Sequence, residues 1–188
     1  MNKIHFHEKY YFCFFSRNGG VSKSEFSSLN CAYNKGDINE NVSMNRKIAL
    51  ELFKKKKLVI PNQTHSNIVL QVNKHNKLLE ADAVISDRDD LLLGILTADC
   101  APIIVLGKKL YGIIHVGWKG LLNNIIENTI NKIVSKGENA KNINIFVGPH
   151  LKKNSFEVKD DFIKILKEKK IDPEKFVMNK KKKFYFDF

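Results

Sequence analysis

Three short apolar runs within residues 91–120 constrain the fold more than any other part of the chain. They cover residues 91–96, 101–106 and 110–114. Short runs rich in Ile, Leu and Val that are interrupted by Gly and Lys are typical of buried β-strands. Polar residues stand where the runs stop, at 97–100 and at 115–120. Because catalytic groups are often displayed at strand ends, Cys100 and His115 are candidates for chemistry.

The remaining sequence predicts more short strands and three amphipathic helices. The predicted strands are residues 10–15, 58–60, 67–72, 80–86, 142–147 and 184–188, and the predicted helices are residues 41–53, 121–137 and 160–169. Asn41 is a candidate N-cap of the first helix, and Gly137 is a candidate C′ residue of the second. The length fits one domain with a sizeable core, which we expect to span residues 1–188.

The composition indicates a globular cytoplasmic protein. Hydrophobic residues make up 43% of the chain, and no apolar run approaches the length of a membrane span. The first residues are polar, so we expect neither a secretory signal nor membrane association. The three cysteines, Cys13, Cys31 and Cys100, form no C-x-x-C pair, which argues against a disulfide framework. The aromatic neighbours of Cys13 favour a buried thiol there.

The net charge of +12 raises the question of nucleic-acid binding. All but three of the 32 basic residues are lysines, with tracts at 54–57 and 180–183. Lysine is abundant throughout the chain, however, and no helix-turn-helix, zinc-finger or RNP pattern accompanies it. We therefore expect no specific nucleic-acid partner, and a monomer or weak homo-oligomer.

Three potential metal ligands stand next to predicted strands: His65, Cys100 and His115. Two imidazoles and one thiolate suit Zn²⁺, and three protein ligands leave the fourth tetrahedral position open for water or substrate. Their spacing along the chain does not decide whether they share a site, since a single His or Cys is often structural.

Several motifs then occur in one order along nearly the whole chain. The longest are QTHS at residues 63–66, TADC at 97–100 and HVGWKG at 115–120. Shorter landmarks are RNGGVS at 17–22, SLN at 28–30, GD at 36–37, NR at 45–46, EADA at 80–83 and GP at 148–149. Together they resemble the YfiH/laccase-domain family of purine nucleoside phosphorylases.

The resemblance implies an α+β fold in which helices pack on a mixed β-sheet core. It also implies a zinc site formed by His65, Cys100 and His115. The implied reaction is phosphorolysis of adenosine, inosine or S-methyl-5′-thioadenosine, with adenosine deamination as a further activity. A water whose pKa is lowered by zinc suits attack on purine C6. Asp99, beside Cys100, is the candidate for proton transfer or ligand orientation, with a hydrogen-bonded turn acid as the alternative.

Purine nucleosides and phosphate are the partners that the resemblance implies. Arg17 and Lys119 are the cations nearest the motifs and are candidates for holding phosphate, and Asn30 joins them as a substrate-binding candidate. The family usually has Arg in place of Lys119 and Ala in place of Val116; a lysine keeps the charge but lacks the bidentate fork. Family members also continue well past the equivalent of residue 188, so we expect this chain to lack the C-terminal segment.

Three rival interpretations stay open. Family members have also been called polyphenol oxidases, but a multicopper site needs about ten histidines, whereas this chain has six. Copper is therefore the less favoured metal. A cysteine-dependent amidase that edits peptidoglycan precursors would use Cys100 as nucleophile with a histidine as base. An inactive truncated binding module is the non-enzymatic alternative.

Overall fold

The computed structural model describes residues 2–55, 57–73, 80–181 and 183–187. The strands are β1 (His5–His7), β2 (Tyr10–Phe12), β3 (Lys57–Val59), β4 (Val69–Gln71), β5 (Ala83–Ser86), β6 (Leu91–Leu93), β7 (Ala101–Leu106), β8 (Tyr111–Val116), β9 (Asn144–Val147), β10 (Glu157–Val158), β11 (Val177–Lys180) and β12 (Lys183–Phe186). The α-helices are α1 (Asn39–Leu52), α2 (Trp118–Leu122), α3 (Ile125–Ser135) and α4 (Asp160–Glu168). Lys56 and Lys182 of the two lysine tracts, and Phe188 of the last predicted strand, lie outside the described residues.

A mixed sheet of five strands, in the order β4-β5-β8-β7-β9, forms the centre of the fold. Strand β4 runs parallel to β5, and the other neighbours are antiparallel. Strands β7 and β8 pair along their whole length, from Ala101 opposite Val116 to Leu106 opposite Tyr111. The α+β class with a mixed sheet is confirmed, and the prediction for residues 101–106 matches β7 at both ends.

The two faces of this sheet are covered by different parts of the chain. Helix α3 covers one face, where Ile125 and Ile133 are completely buried against β7 and β8. Aliphatic side chains of this size contribute about 1.5–3 kcal/mol each when buried. The hairpin β1–β2 covers the other face, where Phe12 packs against Ile104 and Leu106. Alternate residues of β7 therefore serve two separate cores.

The prediction of one continuous helix over residues 121–137 is wrong. The structure has two helices, α2 and α3, which are separated at Asn123 and Asn124. Asn124 adopts a left-handed conformation with φ of 63°, which asparagine tolerates better than most residues and which ends the first helix. The Asn67 side chain donates a hydrogen bond to the Asn123 carbonyl oxygen at 2.9 Å. Gly137 follows α3 with φ of 92°, as expected for a C′ residue.

Other predicted boundaries also shift. The predicted strand at residues 110–114 stops too early, because β8 continues through His115 to Val116. Helix α1 begins at Asn39, so Asn41 is not its N-cap. Instead, the Asp37 carboxylate accepts a hydrogen bond from the Ile38 amide at 2.8 Å. The first predicted strand, 10–15, is confirmed only as far as Phe12.

The last part of the chain forms a small unit of its own beside the central sheet. Strand β12 pairs with both β10 and β11, which confirms a strand near residues 184–188. Helix α4 packs on this unit through Phe162 and Leu166. Phe162 also meets the Trp118 ring edge to face at 5.2 Å between centroids. The C-terminal unit is therefore packed against the helix that follows β8.

Candidate metal centre

Three candidate ligands meet at one end of the central sheet. Cys100 directly precedes β7, and His115 lies in β8 opposite Pro102. His65 comes from the loop between β3 and β4. One ligand atom from each residue, two imidazole nitrogens and Sγ, lies within 4.8 Å of the others. The fold therefore brings together three side chains that are far apart in the sequence.

The spacing of these atoms fits one small divalent cation. Sγ of Cys100 is 3.9 Å from Nε2 of His65, and the rings of His65 and His115 meet edge to face at 4.8 Å between centroids. Tetrahedral zinc bonds of about 2.0–2.3 Å place ligand atoms roughly 3.3–3.7 Å apart. Small side-chain rotations close the difference, because His65 is exposed and Cys100 is only half-buried. Three protein ligands of this type leave one coordination position for water or substrate.

Asp82 is completely buried beneath this cluster and holds two of its elements together. Its carboxylate lies 2.7 Å from Nδ1 of His115. The same carboxylate accepts backbone N–H groups from Thr64, His65 and Ser66 at 3.2, 3.1 and 2.6 Å. The Ser66 hydroxyl adds a further hydrogen bond at 2.7 Å. One carboxylate thus fixes both the His115 ring and the loop that carries His65.

The protonation states of His115 and Asp82 suit metal binding. Burial lowers the pKa of His115, and the hydrogen bond to Asp82 opposes that shift without reversing it. Burial raises the pKa of Asp82, but the hydrogen bonds from His115, Ser66 and Thr64 outweigh it and leave that pKa below its ordinary value. An ionised Asp82 accepts the Nδ1 proton of a neutral imidazole. Nε2 of His115 then keeps its lone pair for a metal ion.

The QTHS motif builds the loop that presents His65. His65 has a left-handed backbone with φ of 58°, which lets consecutive N–H groups converge on one carboxylate. The Gln63 side chain exchanges two hydrogen bonds with the backbone of Leu96, both of 2.8 Å. Leu96 immediately precedes the Thr97–Cys100 segment. Gln63 therefore holds the loop of His65 in register with the loop of Cys100.

Gly117 is required by the close approach of the backbone to the candidate ligands. A Cβ at this position would lie 2.6 Å from Cδ2 of His65 and 3.4 Å from Sγ of Cys100. The first distance is shorter than nonbonded carbon contacts allow. Any larger residue would therefore force the His65 ring to shift.

Asp99 and Cys100 share one electrostatic environment. Burial raises the pKa of the Cys100 thiol, and the negative charges of Asp99 and Asp82 raise it further. Asp99 itself is exposed, and its backbone carbonyl accepts a hydrogen bond from the Leu151 amide at 2.9 Å. The hydrogen bond that orients His115 comes from Asp82, and the role of Asp99, proton transfer or a turn acid, remains a prediction. A thiol with a raised pKa needs a cation, such as a metal ion, to become a thiolate at neutral pH.

The three predicted substrate-binding residues have different surroundings in the structure. Arg17 is exposed, and its Nε donates to the Ser27 carbonyl at 2.8 Å. The Asn30 amide instead serves the fold, since it donates to Asp37 at 2.8 Å and accepts from the Ala32 backbone at 3.0 Å. Lys119 is exposed in α2, with Nζ 5.6 Å from the centre of the Trp118 ring. Their roles toward a substrate remain predictions.

A cleft of about 1430 Å³ is lined by N-terminal residues and by residues of the central sheet. Its walls are mainly apolar, and Arg17 and Asn30 line it together with Thr97 and Ala98. The three candidate ligands are not among its lining residues, but the cleft adjoins the cluster through Thr97 and Ala98 before Cys100 and through Pro102 after it. A bound molecule in this part of the cleft would lie beside the candidate metal position.

Three residues that support the cluster lie within the sequence motifs, although the motifs alone give them no role. They are Asp82 of EADA, Gln63 of QTHS and Gly117 of HVGWKG. Their positions inside the recognised motifs were the only available signal. Their roles depend on contacts between loops that are distant in sequence, which a single sequence does not reveal.

An α+β fold that presents two imidazoles and a thiol, with a buried carboxylate behind one imidazole, defines a candidate open metal centre. The chain belongs to the family described as multi-copper polyphenol oxidoreductase laccase, whose model matches residues 11–188.

Individual relatives refine the comparison. A Rickettsia prowazekii protein named purine nucleoside phosphorylase is 31% identical over 185 residues, which cover 97% of this chain and 75% of that protein. A protein named adenosine deaminase, from an unknown prokaryotic organism, is 26% identical over 59% of this chain and 47% of its own length. The crystal structure of the Bacillus licheniformis protein YfiH matches with a TM-score of 0.84 and 27% identity, over 93% of this chain and 72% of that one. Two of these relatives carry the names of enzymes, purine nucleoside phosphorylase and adenosine deaminase.

Among the residues that the structure describes, no helix combines the length and the hydrophobicity that a membrane crossing requires.

Proposed function

We propose that this protein is a zinc-dependent purine nucleoside phosphorylase for adenosine, inosine and S-methyl-5′-thioadenosine, with adenosine deaminase activity. The observation that carries the proposal is the convergence of His65, Cys100 and His115 within 4.8 Å. The names of the relatives supply the substrate class, purine nucleosides and phosphate. The protein would work in the reducing cytoplasm, which keeps a cysteine ligand available, as a monomer or weak homo-oligomer.

The ion would be held by Nε2 of His65, Sγ of Cys100 and an imidazole nitrogen of His115. Bound zinc would supply a Lewis acid and lower the pKa of a water in the open position. Asp82 would keep His115 neutral and correctly oriented, since it accepts the Nδ1 proton. Gly117 would keep the backbone close enough for the three side chains to meet.

The surrounding residues would divide the remaining tasks. Asp99 would move a proton between the attacking group and the leaving group, since it is exposed next to Cys100. Arg17 would reach the substrate from the wall of the cleft, through guanidinium nitrogens other than Nε. In phosphorolysis, a phosphate oxygen bonds to the ribose C1′ as the bond from C1′ to the purine nitrogen breaks. The purine leaves with the bonding electron pair and takes up a proton.

Zinc is proposed rather than copper because of the donor set. Two histidines and one cysteine also occur in blue-copper sites, which add a long axial ligand such as methionine. The grouping of potential ligands among the described residues consists of His65, Cys100 and His115, and three protein ligands with one open position are typical of catalytic zinc sites. A strong visible absorption band after copper loading would favour copper.

The amidase alternative is less well supported by the environment of Cys100. A nucleophilic cysteine needs a lowered thiol pKa, whereas burial and the carboxylates of Asp99 and Asp82 raise the pKa of this thiol. The inactive binding module predicts that no product forms even when the protein is loaded with metal.

The deciding experiment combines metal analysis with nucleoside turnover, with and without phosphate, for the wild type and Cys100→Ala. We expect zinc in the wild type, ribose-1-phosphate from inosine when phosphate is present, and ammonia from adenosine when it is absent. Cys100→Ala should lose both activities by at least 100-fold, while Cys13→Ala should keep them. Turnover by metal-free protein, or wild-type activity in Cys100→Ala, would contradict the proposal.

A further inference from the structure

The segment 148–151 is bound to the loop that carries Cys100, although neither His150 nor the residues around it were assigned to the site. The Gly148 amide donates to the Pro102 carbonyl at 2.8 Å, and the Leu151 amide donates to the Asp99 carbonyl at 2.9 Å. These two hydrogen bonds place the segment alongside residues 99–102. The backbone of this segment therefore lies next to the backbone on both sides of Cys100.

His150 and Lys152 form a polar pair on this segment. Nδ1 of His150 is 2.9 Å from the Gly148 carbonyl oxygen, which selects the tautomer with the proton on Nδ1. Nε2 then carries a lone pair, and Nζ of Lys152 lies 3.3 Å from it. The ammonium uses one of its three N–H groups on the imidazole and keeps the others for a ligand. The imidazole thus restricts a side chain that would otherwise be flexible on an exposed loop.

The local charge explains why a cation is needed here. Asp82 and Asp99 both act on Cys100 with negative charge, so an approaching phosphate dianion is repelled unless cations are close. Arg17 and Lys119 remain predicted cations of this site, with Nε of Arg17 engaged by Ser27 and Nζ of Lys119 over the Trp118 ring. Lys152 is carried by a segment that is hydrogen-bonded on both sides of Cys100.

We propose that Lys152 binds the phosphate substrate beside the candidate metal centre and that His150 is the positioning residue that holds the Lys152 ammonium in place. The inference rests on the proposed phosphorylase reaction, and it adds a phosphate-binding cation to that reaction. Phosphate oxygens would accept the remaining N–H groups of Lys152. The purine would not contact this pair.

The test compares Lys152→Ala with Lys153→Ala as the matched control. Lys153 is the next residue and pairs with Asp187 at 3.3 Å. Lys152→Ala should raise the KM for phosphate at least tenfold, with kcat at saturating phosphate within about threefold of the wild type. The KM for adenosine in phosphate-free deamination should change less than twofold. Lys153→Ala should match the wild type in every measurement.

His150 is tested by rescue. His150→Ala should raise the KM for phosphate about fivefold, whereas His150→Gln, whose amide oxygen can accept the Lys152 hydrogen bond, should restore most of the loss. A purely structural role of His150 would change both KM values together and would not be rescued by Gln.

Calorimetric titration with inorganic phosphate separates this inference from the proposed function. The wild type should bind phosphate at least tenfold more tightly than Lys152→Ala, and Lys153→Ala should match the wild type. If no ribose-1-phosphate forms, the phosphorylase assignment fails, but the titration still decides the role of Lys152. Equal phosphate affinity of the wild type and Lys152→Ala, or no affinity in either, would overturn the inference.

Discussion

Two buried carboxylates organise two loops of this protein in the same way, but only one of them touches an imidazole. Glu138 accepts backbone N–H groups from Lys108, Lys109 and Leu110, in the turn between β7 and β8. Asp82 likewise collects three consecutive N–H groups, from residues 64–66, at the opposite end of those two strands. Only Asp82 also bonds the ring of a candidate metal ligand.

The two carboxylates differ in that one supports only the fold and the other supports the fold and the metal centre. Glu138 satisfies the amides of a tight turn, and its loss should affect the fold alone. Asp82 satisfies a turn and orients His115, so at that position the loop and the metal centre depend on the same carboxylate. Substitutions at the two carboxylates test whether this division holds.

The largest effect is expected for Asp82→Asn, because the substitution removes the charge that supports both the loop and the imidazole. We expect metal affinity to fall 10–100-fold and the free energy of unfolding of the metal-free protein to fall by about 2–4 kcal/mol. Competition with a chelator measures the affinity, and urea unfolding measures the stability. Unchanged metal affinity in Asp82→Asn would show that Asp82 does not support metal binding.

Glu138→Gln is the matched control and should lower the stability of the fold without lowering the metal affinity. Replacing the buried carboxylate weakens three amide hydrogen bonds, so the free energy of unfolding should fall by about 1–3 kcal/mol. Metal affinity should stay within twofold of the wild type, measured by the same chelator competition. A loss of affinity as large as that of Asp82→Asn would show that general destabilisation explains both variants.

Substitutions at two glycines should show the same difference between metal affinity and stability, with smaller effects. Gly117→Ala places a methyl group 2.6 Å from Cδ2 of His65, so metal affinity should fall about five- to tenfold while the global fold persists. Gly137→Ala meets no atom within 4 Å but has φ of 92°, so its cost should be about 1 kcal/mol of stability. Equal metal affinity in the two variants would argue that Gly117 is not part of the site.

The smallest effect is the pH dependence of the contribution of Glu138. Burial raises the pKa of Glu138, but the hydrogen bonds from Leu110, Lys109 and Lys108 outweigh it and hold that pKa below the ordinary value of 4.5. A carboxyl group with a lowered pKa in the folded state stabilises the fold above its unfolded pKa, and that stabilisation is lost as the pH falls through its folded pKa.

The difference in unfolding free energy between the wild type and Glu138→Gln should therefore be constant from about pH 6 to 8 and should shrink below ~pH 4. Urea unfolding in a series of buffers measures it. A difference that grows on acidification would contradict the assigned sign.

The sequence was most informative where structure is local. The run at residues 101–106 predicted β7 at both ends, because a fully buried central strand must be apolar throughout. The ligand trio followed from motifs that resemble a family, and the fold does bring those three residues together. Asn124 shows the limit of periodicity, since the apolar stripe continues through a residue that breaks the helix.

The supporting residues of the site could not be predicted for a different reason. Asp82 and Glu138 are similar acids in the sequence, and neither periodicity nor composition distinguishes them. Their roles depend on which loop folds over each carboxylate, and that is decided by the pairing of β5 with β8 and by the turn between β7 and β8. The strand position of His115 likewise depends on its partner Pro102 in β7.

X-ray absorption at the zinc edge of the purified protein tests the central claim most directly. Coordination by His65, Cys100 and His115 predicts one sulfur at about 2.3 Å and two imidazole nitrogens at about 2.0–2.1 Å, with one further light atom. Cys100→Ala should lose the sulfur shell, and Cys13→Ala should keep it. A zinc shell without sulfur in the wild type, or a sulfur shell that persists in Cys100→Ala, would contradict the account.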